Sequence, residues 1–147
     1  AIVEYEQAAA LYPSGFATHV ALSVLYEKQG READAAAALS EAYAYSPTEA
    51  AVAIELARTY TVVGDLESAL KEASRAISLD PDNVEALLAR ATIYEGRSES
   101  DNAIADLQAA AEKADAQGLT TLHVVARYRL GMLLQDASGM SSPGMGQ

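Results

Sequence analysis

His19 and Ser23 lie one helical turn apart, the spacing at which an imidazole could serve as general base to a hydroxyl nucleophile. That chemistry also needs a carboxylate to orient the imidazole, and no acid follows in a triad-like place. The only other histidine, His123, is about 100 residues away. His19 is instead expected to fill a large packing site on its helix. Asp80-Pro81-Asp82-Asn83 superficially resembles a calcium loop, yet it lacks the glycine and the closing bidentate glutamate that such a loop requires. The glycines between Gly139 and Gly146 precede no helix, so they form no phosphate-binding loop. There is no cysteine, which excludes disulfides, thiolate nucleophiles and cysteine-ligated zinc. Glu55, Glu85 and Glu95 supply carboxylates that nothing in the sequence encloses in a pocket. These residues give no catalytic set, no metal site and no cofactor site, and the expectation is a protein that is not an enzyme.

The elements that carry them recur. Tyr26, Tyr60 and Tyr94 are 34 residues apart, and so are Ala35, Ala69 and Ala103, and Ala42, Ala76 and Ala110. Pro13, Pro47 and Pro81 keep the same step, as do Gly30 and Gly64, with Ser98 in the third place. A fixed period of this length marks a repeat array whose unit is a helix–turn–helix unable to bury its apolar face alone. Around Gly64, Ala53, Leu56, Ala57 and Tyr60 share one helical face, and Leu66, Ala69, Leu70, Ala73, Ala76 and Ile77 share the next. Pro81 and its polar neighbours close that unit, and Gly64 supplies the permissive backbone of the turn.

These patterns predict an all-α chain of stacked helical hairpins, with one array over 1–136. It divides into a second helix alone at 1–15, full units at 16–49, 50–83 and 84–117, and a C-terminal capping helix at 119–136. In the third unit glycine is displaced by two positions, to Gly96, and no proline closes the second helix, which runs on to about Ala116 and ends at Gly118. The capping helix has two registers. Strict continuation puts Tyr128 in the recurring tyrosine place; a six-residue shift makes Leu130-Gly131 and Leu134 equivalent to Leu56-Ala57 and Tyr60. The lengthened second helix before it favours the shift. Residues 137–147 have no periodicity and are expected to be a flexible tail.

Composition agrees with close helix packing, since half of the 147 residues are apolar and alanine is the commonest of them. No apolar run approaches the roughly 20 residues of a membrane span. A formal charge of −11 argues against non-specific nucleic-acid or anionic-membrane binding. The compartment is open, cytoplasmic or periplasmic, and the segment can be a soluble part of a longer chain.

The residues quoted above resemble the tetratricopeptide repeat family. Its pattern has a large residue, Leu-Gly/Ala and Tyr in the first helix, then a glycine turn, Ala-apolar-Ala in the second, and a closing proline. The middle unit matches through Leu56-Ala57, Tyr60, Gly64-Asp65, Ala69, Ala73, Ala76 and Asp80-Pro81. The resemblance covers about Ala1 to Asp136. It departs at Arg90, in a normally apolar place, at Ser98 and at Asp115. It implies a right-handed α-α superhelix, with an Arg90–Asp106 ion pair inside the third unit. An unpaired buried charge is costly, which gives that pair its physical reason.

The resemblance also implies that first helices line a concave groove. The groove residues are then Val20, Val24, Ile54, Glu55, Arg58, Leu88 and Thr92, with Tyr128 and Arg129 added on the shifted register. Such a stripe suits a peptide or an amphipathic helix docking by apolar anchors. One subclass grips a C-terminal carboxylate with groove Lys and Asn; the equivalent places here hold Val20, Val24, Ile54, Arg58 and Leu88, so only Arg58 is basic. The implied function is a non-catalytic scaffold that binds a protein segment. The alternative is a self-associating homo-oligomer, engaged through the open N-terminal half-unit and a tail carrying Met140 and Met145.

Overall fold

The computed structural model describes residues 1–139, which form eight helices and, among the described residues, no strand. Residues 140–147, most of the expected tail 137–147 with both of its methionines, lie outside them; Ala137 is the last residue of the final helix. The chain divides into two compact units, Ala1–Asp80 and Pro81–Gln147.

The first unit holds α1 (Ile2–Leu11), α2 (Phe16–Lys28), α3 (Glu32–Tyr45), α4 (Glu49–Val62) and α5 (Leu66–Leu79). α2 and α3 pair as one hairpin and α4 and α5 as the next, with α2 also packed on α4 and on α1. Val20 and Val24 of α2, Ala42 of α3 and Val52 and Leu56 of α4 form one core cluster. Leu22, Tyr26 and Ala38 form another, covered by Ile2, Ala9 and Ala35. Alanine sits where helices approach most closely: Ala69, Ala73 and Ala76 of α5 are fully buried.

The second unit holds α6 (Val84–Gly96), α7 (Ser100–Ala116) and α8 (Thr120–Ala137), with α7 packed on both α6 and α8. Ala103, Leu107, Ala110 and Ala114 bury one face of α7 completely. Arg90 Nε and Nη2 each donate to one carboxylate oxygen of Asp106 at 2.8 Å, the expected pair in bidentate form. Its carboxylate is almost wholly buried and its guanidinium about a quarter exposed. That bond holds Arg90 protonated more firmly than an ordinary arginine.

One turn recurs and explains the period. The carbonyl of each recurring tyrosine accepts a backbone N–H from five residues on: Arg31 to Tyr26 at 2.9 Å, Asp65 to Tyr60 at 2.9 Å and Glu99 to Tyr94 at 2.8 Å. This is the six-to-one bond of a Schellman C-cap, and it requires a left-handed residue one position earlier. Gly30 and Gly64 supply it with φ of 76° and 84°. In the third unit Ser98 takes that conformation itself, at φ 61°, while the displaced Gly96 remains the last residue of α6. Thr48, Asp65 and Asn83 cap the helices that follow turns, each accepting a backbone N–H about 3 Å away. Asp65 also receives Lys28 Nζ at 2.6 Å, and these donors, Lys28 first, hold its carboxyl down at about 2.

Candidate functional site

In the first unit α2 is enclosed on several sides, because His19 to Val24 are all buried in sequence order. Val20 and Val24 have no exposed surface and touch Val52 and Leu56, so they build the core and are closed to a ligand. Ile54 is also buried, at 5% exposure. Glu55 and Arg58 reach solvent on α4 and pair with each other at 2.9 Å. His19 does pack as a large residue: its ring stacks on Tyr45 at 5.9 Å, and its Nε2 lies 2.7 Å from the Pro13 carbonyl. Ser23 donates to the carbonyl of Val20 at 2.7 Å, not to an imidazole.

A cleft of about 400 Å³ opens in this unit where the two hairpins meet. Ala35, Leu39 and Leu56 form its apolar floor, and Glu27, Glu32 and Glu72 stand around it. Val20, Val24, Ile54, Glu55 and Arg58 do not line it. The Tyr60 hydroxyl donates to both carboxylate oxygens of Glu27, at 2.9 and 3.1 Å. Burial, and after it this carboxylate, raise the Tyr60 phenol well above the usual range.

In the second unit Leu88 is buried, whereas Thr92 is exposed beside Arg129. Arg129 Nη2 donates to Thr92 Oγ1 at 2.9 Å and to Glu95 Oε2 at 2.6 Å, which ties α8 to α6. Along α8 the buried positions are Ala126 and Leu130, the places of Val52 and Leu56 on the shifted register. Tyr128 is 68% exposed, so it is no core tyrosine. With Val124 and Met132 it forms an exposed stripe at i, i+4 and i+8 on a helix face. A second cleft, about 440 Å³, lies between α7 and α8, with Glu112, Asp115, His123 and Arg127 on its walls. His123 Nδ1 is 3.0 Å from the Ala111 carbonyl, which only accepts, so that nitrogen carries the proton. Among the described residues no group of His, Asp and Glu has metal-holding geometry, and no helix is long and apolar enough to cross a membrane.

The resemblance places Tyr128, Thr92 and Arg129 in a groove, and all three reach the surface of the second unit. Sequence reasoning does not bring Glu32, Leu39 and Glu72 together, because they sit on second helices and converge only when two hairpins stack. The signal available was that Glu32 and Glu72 both fall in the first two turns of a second helix.

Two family models, both described as tetratricopeptide repeat, match the chain, one over residues 1–50 and one over 28–93. No curated protein matches it. Among solved structures, the crystal structure of MamA protein aligns with a TM-score of 0.60 and 20% identity, covering 96% of this chain and 73% of that one. A human IFIT1 dimer with m7Gppp-AAAA aligns with a TM-score of 0.63 and 21% identity, over 93% of this chain and 32% of that one. A monomeric IFIT1 mutant with Gppp-AAAA gives 0.63 and 19%, over 95% and 34%. This chain therefore spans about a third of the IFIT1 chains it matches, and at such identities the likeness concerns the fold.

Proposed function

The chain belongs to the tetratricopeptide repeat family, a helical-repeat protein-interaction module, and from that membership we propose that it binds a protein segment on the exposed face of α8 as part of assembling or localising a larger complex. The observation that carries this reading is the stripe of Val124, Tyr128 and Met132, which are 58%, 68% and 47% exposed. Large apolar side chains gathered on one helix face favour a partner surface over open water. An amphipathic helix with apolar residues at matching intervals fits such a stripe. Arg129, pinned by Thr92 and Glu95, fixes the face to the helix behind it. Glu55 and Arg58 form a further exposed polar pair in the first unit. Support for a non-catalytic role comes from both histidines lying against backbone carbonyls.

A second copy could in principle cover the same stripe. An antiparallel pairing of α8 with itself centred on Tyr128 would set Arg127 opposite Arg129 of the other copy, and like charges in that position oppose association.

The test is selection of a displayed helical-peptide library against the immobilised full chain, repeated on the Tyr128→Ser/Met132→Ser double variant. Truncating two exposed anchors should weaken the selected peptides by about tenfold or more, with an unchanged helical spectrum. Equal binding to the double variant would overturn the α8 site. A concentration-dependent dimer in light scattering that the double variant abolishes would replace a foreign segment with a second copy.

A further inference from the structure

The cleft between the first two hairpins has a chemistry that the α8 stripe lacks. Three glutamates on helix surfaces would ordinarily be a solvated face, but two of these are held in place around an apolar floor. Glu27 is fixed by the Tyr60 hydroxyl. Glu72 accepts from Arg75 Nε at 3.0 Å, and Arg75 Nη2 in turn donates to the Tyr43 hydroxyl at 3.0 Å. Carboxylates fixed beforehand lose little entropy when a ligand arrives. Glu32 stands exposed at the rim, and Lys71 is the single cation on the walls. The surroundings have the same sign, since residues 1–80 carry twelve carboxylate side chains against five Lys and Arg. Between these walls the half-buried Ala35 and Leu39 offer apolar surface over the buried Leu56.

We infer that this cleft receives an arginine or lysine side chain of a partner protein, the aliphatic stem lying on Ala35 and Leu39 and the charged head meeting Glu27, Glu32 and Glu72. Long basic side chains are suited to such a site because the stem is apolar and only the tip is charged. Arginine is the better occupant, since its planar head donates to two carboxylates at once and is less strongly hydrated than an ammonium. Lys71 opposes the arriving cation and sets the affinity from the other side. The inference rests on the reading of the chain as a protein-binding module, but on a surface separate from α8.

The experiment is an amide chemical-shift titration of the ¹⁵N-labelled full chain with the tripeptide N-acetyl-Leu-Arg-Leu-amide, and with the same peptide carrying citrulline for arginine. Citrulline keeps the shape and removes the charge. Saturable shifts are expected at Ala35, Leu39, Lys71 and Glu72, with the citrulline peptide weaker by about fivefold or more and the difference shrinking at high salt. Lys71→Ala, an exposed substitution, should tighten the arginine peptide by about threefold, and Glu72→Gln should weaken it by about fivefold. Equal affinity for both peptides, shifts centred on other helices, no shifts, or weaker binding by Lys71→Ala would each overturn the inference. The Tyr128→Ser/Met132→Ser variant keeps this cleft intact. Lost peptide selection there with retained arginine binding here, or the reverse, therefore tells which of the two surfaces has failed.

Discussion

Ser98 does the work of a glycine. In the two preceding hairpins the left-handed residue after the recurring tyrosine is Gly30 or Gly64, and Ser98 adopts the same conformation with a side chain in place. A left-handed L-residue is disfavoured by roughly 1–2 kcal/mol, so Ser98→Gly should stabilise the second unit by about 1 kcal/mol after glycine's larger unfolded-state entropy is subtracted. Urea unfolding of the two proteins checks this, and a variant equal to or weaker than the parent would refute it. The sequence offered Gly96 as the substitute for the missing glycine; hydrogen bonding decides otherwise. The left-handed place is set by counting from the Tyr94 carbonyl, and Gly96 falls two residues short of it. Arg90 was easier to read, because the family resemblance pairs its place with the one Asp106 holds on the second helix, and a partly buried charge needs a carboxylate.

At the scale of the element, α2 and α8 mark the extremes of what periodicity conveys. α2 has apolar residues on nearly every side, and its neighbours α1, α3 and α4 cover them. A pattern without a polar stripe cannot say which face is left open, and for this reason the burial of Val20 and Val24 was not legible. In α8 only Ala126 and Leu130 are buried; Leu122 and Leu133 are half-buried, and Val124, Val125, Tyr128, Met132 and Leu134 stay in water. Its Gly131 has no atom within 4 Å of where a Cβ would stand and carries no positive φ. Replacing it with alanine should raise helix stability by roughly 0.5–1 kcal/mol. A thermal scan showing a higher midpoint for Gly131→Ala is the expected result; a lower one would mean that the backbone there is constrained in a way the helix does not display. Helix boundaries and turns were readable because tyrosine, glycine and proline mark them chemically. The cleft was not, since Glu27 and Glu72 are 45 residues apart and meet only through hairpin stacking.

At the scale of the whole molecule, alanine-rich helices packed at close range leave little enclosed volume for a substrate and much side-chain surface for a partner. The excess of carboxylates is spread over both units and sets a negative field, into which the proposed basic contact fits and from which polyanions are repelled. The apolar stripe of α8 interrupts that field with a helix that carries two arginines and no acid before Asp136. On the proposed reading, a partner of this face would be selected by apolar anchors more than by charge. Hydrogen exchange of the full chain with and without a selected helical peptide shows whether α8 is the binding face. Slowed exchange is expected over residues 120–137 and in the α6 turn bearing Thr92 and Glu95. Protection confined to other helices, or none at saturating peptide, would contradict that reading.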